Sequence, residues 1–178
     1  MPLFEKLRGA GKSPPRVRRL EIISSFLGSL AGMALLGWLH KAVADPAGQV
    51  LLIGSFAASA VLLFAAPKSP LAQPRNLLGG HVLSALIGVS IGLALPNVPW
   101  LAGALAVATA IAAMHLTKTL HPPGGATAFI AVTGGPKIVA LGYAYVLCPA
   151  LSGALILLGV ALLTNALTPG RRYPEYWW

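Results

Sequence analysis

Hydrophobic residues in this chain fall into long uninterrupted runs, and the few charged residues mark where each run stops. A charge-free apolar run of about 18 or more residues is long enough to cross a roughly 30 Å hydrocarbon layer as a helix. Glu21 to Lys41 encloses one such run, IISSFLGSLAGMALLGWLH, and Asp45 to Lys68 a second, centred on VLLIGSFAASAVLLFAA. Between Asn76 and Thr117 there is no charge. That stretch is too long for one helix, and Pro96-Asn97-Val98-Pro99 divides it into spans over about 77–95 and 100–118. Lys137 to Arg171 encloses the last long run, where Pro149 removes a backbone donor and predicts a kink. The pattern predicts an all-α fold, a polytopic transmembrane helical bundle with five long spans.

One further apolar stretch, HPPGGATAFIAVTGG at 121–135, carries two prolines and four glycines. Fifteen helical residues rise only about 22 Å, so this segment is predicted as one short broken or re-entrant helix at about 122–135. It either crosses or turns back. If it crosses, Lys68, Arg75, Lys118, Arg171 and Arg172 join Lys6, Arg8, Lys12, Arg16, Arg18 and Arg19 of the amino-terminal arm on one side, leaving Lys41 and Lys137 opposite. If it is re-entrant, Lys137 moves to the arm's side, and Lys41, Arg171 and Arg172 lie opposite. The positive-inside rule makes the amino terminus cytoplasmic and favours the crossing version by a single charge.

Composition agrees: 56% of 178 residues are hydrophobic and 10% charged, with a mean hydropathy of +0.76, far from an ordinary soluble domain. The net charge of +9 does not point to nucleic acid, because it is clustered in an arm beside a span, where topology or anionic lipid accounts for it. The organisation expected is a basic cytoplasmic arm at 1–20, a single transmembrane domain at 21–170 and an aromatic/basic tail at 171–178. The amino terminus lacks the small-residue cleavage site of a removed signal. A lone Cys148 excludes an intrachain disulfide and any cysteine-based metal site. All four acidic residues, Glu5, Glu21, Asp45 and Glu175, fall in flanks or loops. Without a carboxylate in a span, neither an acid dyad nor a His/carboxylate metal centre can assemble there, so no enzyme, metal or cofactor is expected, and any coupling would have to run through histidine.

HPPGGATA at 121–128, SPLAQPRNLLGGH at 69–81 and RRYPEYW at 171–177 together resemble the HPP family of small integral membrane proteins, over roughly residues 20–178. The resemblance implies a transporter-like bundle. Cyanobacterial and plastid members are associated with nitrite transport, while most bacterial members have no assigned activity, so nitrite enters as a candidate substrate. The expected location is the bacterial inner (plasma) membrane.

His121-Pro122-Pro123-Gly124-Gly125 places prolines where a helix can start without an amide donor, then glycines that let a ligand approach the backbone. A helix starting near Pro123 would turn free amides and its positive dipole end toward a protein-lined cavity, an anion site of the broken-helix kind, with Thr127 adding a hydroxyl. A tight turn and close helix packing would require the same residues. Gln73 to His81 repeats the arrangement: aligning Gly79-Gly80 with Gly124-Gly125 sets Asn76 against His121, a shift of 45 residues in the same orientation. Arg75 offers a planar fork to an anion or anchors its span. His81 binds or gates an anion, or is satisfied by a neighbouring carbonyl. His115 precedes Lys118 by three residues and Thr119 by four, a spacing that predicts one shared face, a vestibule unless Lys118 only snorkels. His40, beside Lys41, reads as interfacial.

Gly28-xxx-Gly32, Gly88-xxx-Gly92 and Ala102, Ala106 and Ala110 are small-residue faces for close helix contact, within one subunit or between two. Short spans enclose little space alone, so a homo-oligomer is expected. Tyr143, Tyr145, Tyr173, Tyr176, Trp177, Trp178, Trp38 and Trp100 read as interfacial anchors, with RRYPEYW a lipid-facing lock. The leading function is passage of a small inorganic anion along Arg75, Asn76, His81, His121, Gly124, Gly125 and Thr127, an intramembrane regulator or scaffold being the alternative.

Overall fold

The computed structural model describes Phe4, Leu7 and residues 11–178, so Glu5, Lys6 and Arg8 of the basic arm lie outside the described residues. Every regular element described is helical. Four helices are long and apolar enough to cross a membrane: α1 (Arg19–Ala44), α3 (Pro74–Ala94), α4 (Pro99–Leu116) and α7 (Val146–Ala166). Two are short, α2 (Ser55–Ala65) and α5 (Pro122–Thr133), and α6 (Pro136–Val139) is a single turn.

The expected five long spans are therefore four. The second run fails because α1 ends in a turn at Asp45 to Gly48, with Gly48 at φ 70°, a left-handed conformation that glycine adopts without strain. The chain then stays irregular to Gly54. Irregular backbone packed against a helical bundle needs partners from the protein itself, and it finds them. Leu51 N donates to His40 Nδ1 at 3.4 Å, and Cys148 Sγ donates to Val50 O at 3.5 Å. The turn at Pro96-Asn97 divides α3 from α4 as its proline content predicts. Near Pro149 the predicted break is present: Cys148 has non-helical φ −134° and ψ 116°.

α5 runs parallel to α3 with backbones nearly touching. A methyl group built on Gly80 would lie 2.5 Å from His121 Cβ, one on Gly124 2.8 Å from Gly80 O, and one on Gly88 2.5 Å from Ala128 O. Gly92 faces Val132 at 3.6 Å. α5 thus begins beside Gly80, finishes beside Gly92 and delivers the chain to the far end of α3, where Ile138 and Val139 join Leu95, Pro96 and Pro99 around a cavity of about 370 Å³. Lys137 Nζ lies there, 3.8 Å from Asp45 Oδ1. The short helix runs through the bundle and does not turn back. α7 then returns, bringing Arg171 to Glu21 at the start of α1, so both terminal regions lie at one end.

The small-residue faces of α1 and α3 are used within the chain. Gly28 and Gly32 receive the ring of Phe64, and Gly32 also receives Leu157. The opposite side of α1 exposes Ile22, Ile23, Phe26, Leu27, Leu30 and Trp38, the apolar surface a lipid-facing helix needs.

The tail is not a lipid-facing lock. Tyr173 is buried and its hydroxyl donates to Ala72 O at 2.9 Å; Glu175 N donates to Gln73 Oε1 at 2.9 Å; Tyr176 donates to Pro70 O at 3.2 Å. Arg171, its side chain 3% exposed, meets Glu21 at 2.7 Å, donates to Asn165 Oδ1 at 2.9 Å and Phe64 O at 3.0 Å, and reaches Ser25 Oγ at 3.2 Å. Glu21 flanks the first span as expected, in the first turn of α1, and pairs with Arg18 at 3.5 Å as well as with Arg171, 150 residues away.

Candidate functional site

A buried polar cluster forms where α2, α3 and α5 meet. The sequence holds both short helices beside α3: Gly80 and Gly124 admit close backbone contact, while Ser55 and Ser59, four residues apart, face inward from α2. Ser59, His81, His121 and Thr127 are 0% exposed. Ser59 Oγ sits 2.8 Å from His81 Nε2 and 2.9 Å from His121 Nε2. His81 Nδ1 is 2.7 Å from Thr127 Oγ1, which donates to Ser55 Oγ at 2.9 Å. His121 Nδ1 donates to Leu71 O at 2.8 Å. The two imidazole rings stand 5.0 Å apart, centre to centre, and Phe56 meets His81 edge-on at 5.1 Å. Tyr145 closes the cluster from the start of α7, donating to Thr127 O at 3.0 Å.

The structure brings together only some of the residues predicted for a pathway. His81, His121 and Thr127 share this cluster. Gly79, Gly80 and Gly124 are packing positions instead, set against Thr119, His121 and Gly80 O respectively. Pro122 and Pro123 have no amide to offer, and Gly124 N donates to His121 O at 2.8 Å, so the first residues of α5 present no row of free donors. Gly125 is different: a methyl there would meet only Val107, at 3.8 Å. It lines a cavity of about 550 Å³ between α4 and α5, together with Pro122, His115, Leu120 and Phe129.

Arg75 and Asn76 brace the loop after α4, Arg75 Nη2 donating to Thr117 O at 2.9 Å and Asn76 Nδ2 to Leu120 O at 2.8 Å. Asn76 Oδ1 is a buried acceptor with no partner among the described residues, so what Asn76 leaves over is an acceptor and not an anion-binding donor. The shared face expected for His115, Lys118 and Thr119 does not form. Helix α4 ends at Leu116 and Lys118 takes φ 56°, which breaks the helical spacing; His115 and Lys118 are both exposed.

Ser55, Ser59 and Tyr145 are site residues that sequence reasoning missed. The Ser55-xxx-Ser59 spacing was the available signal, two hydroxyls on one face of an otherwise apolar run.

The family described as HPP, transmembrane region, matches residues 14–174. The chain belongs to this family. The motifs that mark it, at 69–81, 121–128 and 171–177, supply two walls of the cluster and the tail that packs on Ala72 and Gln73. HPP membership and the apolar helices make this an integral membrane protein. Two transmembrane proteins of Dictyostelium discoideum are similar to it, each 47% identical over 98% of this chain. The chain spans 57% and 63% of the lengths of these relatives. No solved structure matches. Relatives from Dictyostelium do not support the expected bacterial inner membrane.

Proposed function

We propose that this HPP protein is a membrane transport protein for a small inorganic anion, with nitrite as the candidate substrate. The observation that carries the reading is the cluster itself: two ionisable imidazoles and three hydroxyls converge inside an apolar bundle, where polar side chains are costly unless they serve a function. The described carboxylates, Glu21, Asp45 and Glu175, lie at the bundle ends, so the interior repels no anion. The inventory of groups also favours a non-enzymatic role without metal or cofactor. The described basic residues gather at the end that holds Arg18 and Arg171, which by the positive-inside rule supports a cytoplasmic side for that end. A homo-oligomer and contact with the surrounding bilayer belong to this reading.

The test is flux of nitrite, nitrate and formate into proteoliposomes across a pH series. Uptake above protein-free vesicles is expected, falling at least tenfold in His81→Ala. Absence of flux for all three anions by folded protein would sink the proposal. A second reading, an intramembrane regulator or scaffold, is favoured by one observation: the cluster is fully enclosed, with each histidine bonded to its neighbours.

A further inference from the structure

Counting protons across the cluster gives an uneven result. A carbonyl only accepts, so His121 carries its hydrogen on Nδ1, toward Leu71 O, and in its neutral form has a bare lone pair on Nε2. Thr127 has one hydroxyl hydrogen and donates it to Ser55 Oγ at 2.9 Å or to Pro123 O at 3.3 Å, so at the 2.7 Å contact with His81 Nδ1 it accepts. His81 therefore also carries its hydrogen on Nδ1 and has a bare Nε2. Both bare nitrogens point at Ser59 Oγ, 2.8 and 2.9 Å away, with Ser55 O a third and longer acceptor at 3.3 Å, and one hydroxyl hydrogen cannot serve both nitrogens. The neutral cluster is one proton short.

We infer that Ser59, His81 and His121 form a binding site for a single proton, taken up together with the transported anion. The proton comes from water and forms an N–H bond at Nε2 of one imidazole. That N–H donates to Ser59 Oγ, and Ser59 keeps its own hydrogen, donated to the other Nε2. Both contacts between Ser59 and the imidazoles are then satisfied and the cluster carries one positive charge. Burial opposes that charge unless it is paired.

Among the described residues, no carboxylate is there to pair it. From α2 the cluster receives Ser55, Ser59 and Phe56; from α3, His81; from α5, Thr127, with His121 at its start; and from α7, the neutral Tyr145. The remaining nearby titratable groups are turned elsewhere: Arg75 to Thr117 O, Tyr173 to Ala72 O, and Lys68 and His115 outward. A monovalent anion is the missing partner, and by linkage each ligand strengthens the binding of the other. This coupling rests on the anion-transport reading; the proton site does not.

Two measurements on the intact chain in lipid separate the two. Nitrogen-15 NMR of labelled histidine should show His81 and His121 both protonated at Nδ1 in alkaline buffer. On acidification the pair should take up one proton, at higher pH when nitrite is saturating, and in Ser59→Ala the sharing should disappear. A neutral His81 carrying its hydrogen on Nε2, or two independent uptakes, would overturn the site. In proteoliposomes, after subtracting nitrous acid permeation through protein-free vesicles, an inward gradient of one pH unit should drive about tenfold nitrite accumulation. Flux indifferent to the gradient overturns the coupling and leaves transport standing. One-proton uptake without flux of any tested anion keeps the proton site and removes the anion reading.

Discussion

Two buried polar assemblies share this bundle, and they are built on opposite terms. At the terminal end, Arg171 is saturated: Glu21, Phe64 O, Asn165 Oδ1 and Ser25 Oγ accept its hydrogens, and Asn165 in turn donates to Leu63 O at 3.1 Å. In the interior, Ser59 stands between two histidines it cannot satisfy at once. A closed set of donors and acceptors has nothing to gain from a ligand, so the first assembly fastens the tail and α7 to α1. An incomplete set gains a bond when something arrives.

The comparison can be broken at its strong side first. Arg171→Ala should cost about 3 kcal/mol, the low end for breaking a buried pair because Glu21 remains partly hydrated, and should appear as a clear drop in thermal midpoint in detergent or lipid. An unchanged midpoint would show that the tail contributes little to the fold. Next comes the helix contact that holds the interior cluster. Gly124→Ala should destabilise by about 2 kcal/mol, since its methyl meets Gly80 O and Ser84 Oγ at 2.8 Å. Gly125→Ala, facing open space toward Val107, should stay within about 1 kcal/mol of the parent in the same melts. If both variants melt alike, the packing asymmetry along α5 is wrong.

Ser59→Ala sharpens the contrast. Removing a fully paired buried hydroxyl usually costs about 1 kcal/mol, and here the lost bond to one Nε2 is partly offset by relief of the lone-pair contact at the other. The melting midpoint should therefore barely move while transport is lost; a fall as large as that of Arg171→Ala would mean Ser59 is chiefly structural. Smallest is Tyr173→Phe, about 1 kcal/mol for its bond to Ala72 O. Burial raises the Tyr173 hydroxyl above its ordinary value, which favours the neutral phenol in the folded chain. Its contribution is present below about pH 10 and is lost as pH rises through the folded-state value. Melts recorded from pH 8 to pH 11 should fall more steeply for the parent than for the phenylalanine variant.

Charges and prolines made most of the bundle readable. Pro74, Pro99 and Pro122 each open a helix, and the parallel alignment of Gly79-Gly80 with Gly124-Gly125 anticipated the orientation of α3 and α5, though the helices meet in a register one residue different, Gly80 against Gly124. The failure at residues 45–54 has a physical cause: apolarity predicts burial but not helicity, and this segment donates to His40 and accepts from Cys148, bonds that no local pattern announces. His81, His121 and Thr127 were legible because motifs surround them. Ser59 was legible only as half of the Ser55-xxx-Ser59 pair, and Tyr145, expected at the interface, is fully buried; both acquire meaning through partners 22, 62 and 18 residues away.

The interlocked glycines of α3 and α5 also restrict how the molecule can move. With His121 Cβ at Gly80, Gly80 O at Gly124 and Ala128 at Gly88, neither helix can rotate or slide past the other without collision. The pair is one rigid piece that carries both histidines and Thr127, whereas Ser55 and Ser59 ride on α2, entered through irregular chain at residues 49–54 and left through a turn after Ala66. The cluster is thus a seam between that pair and α2, and separating them by a single hydroxyl's reach removes the contacts of Ser55, Ser59 and Phe56 while leaving His81 against Thr127 and His121.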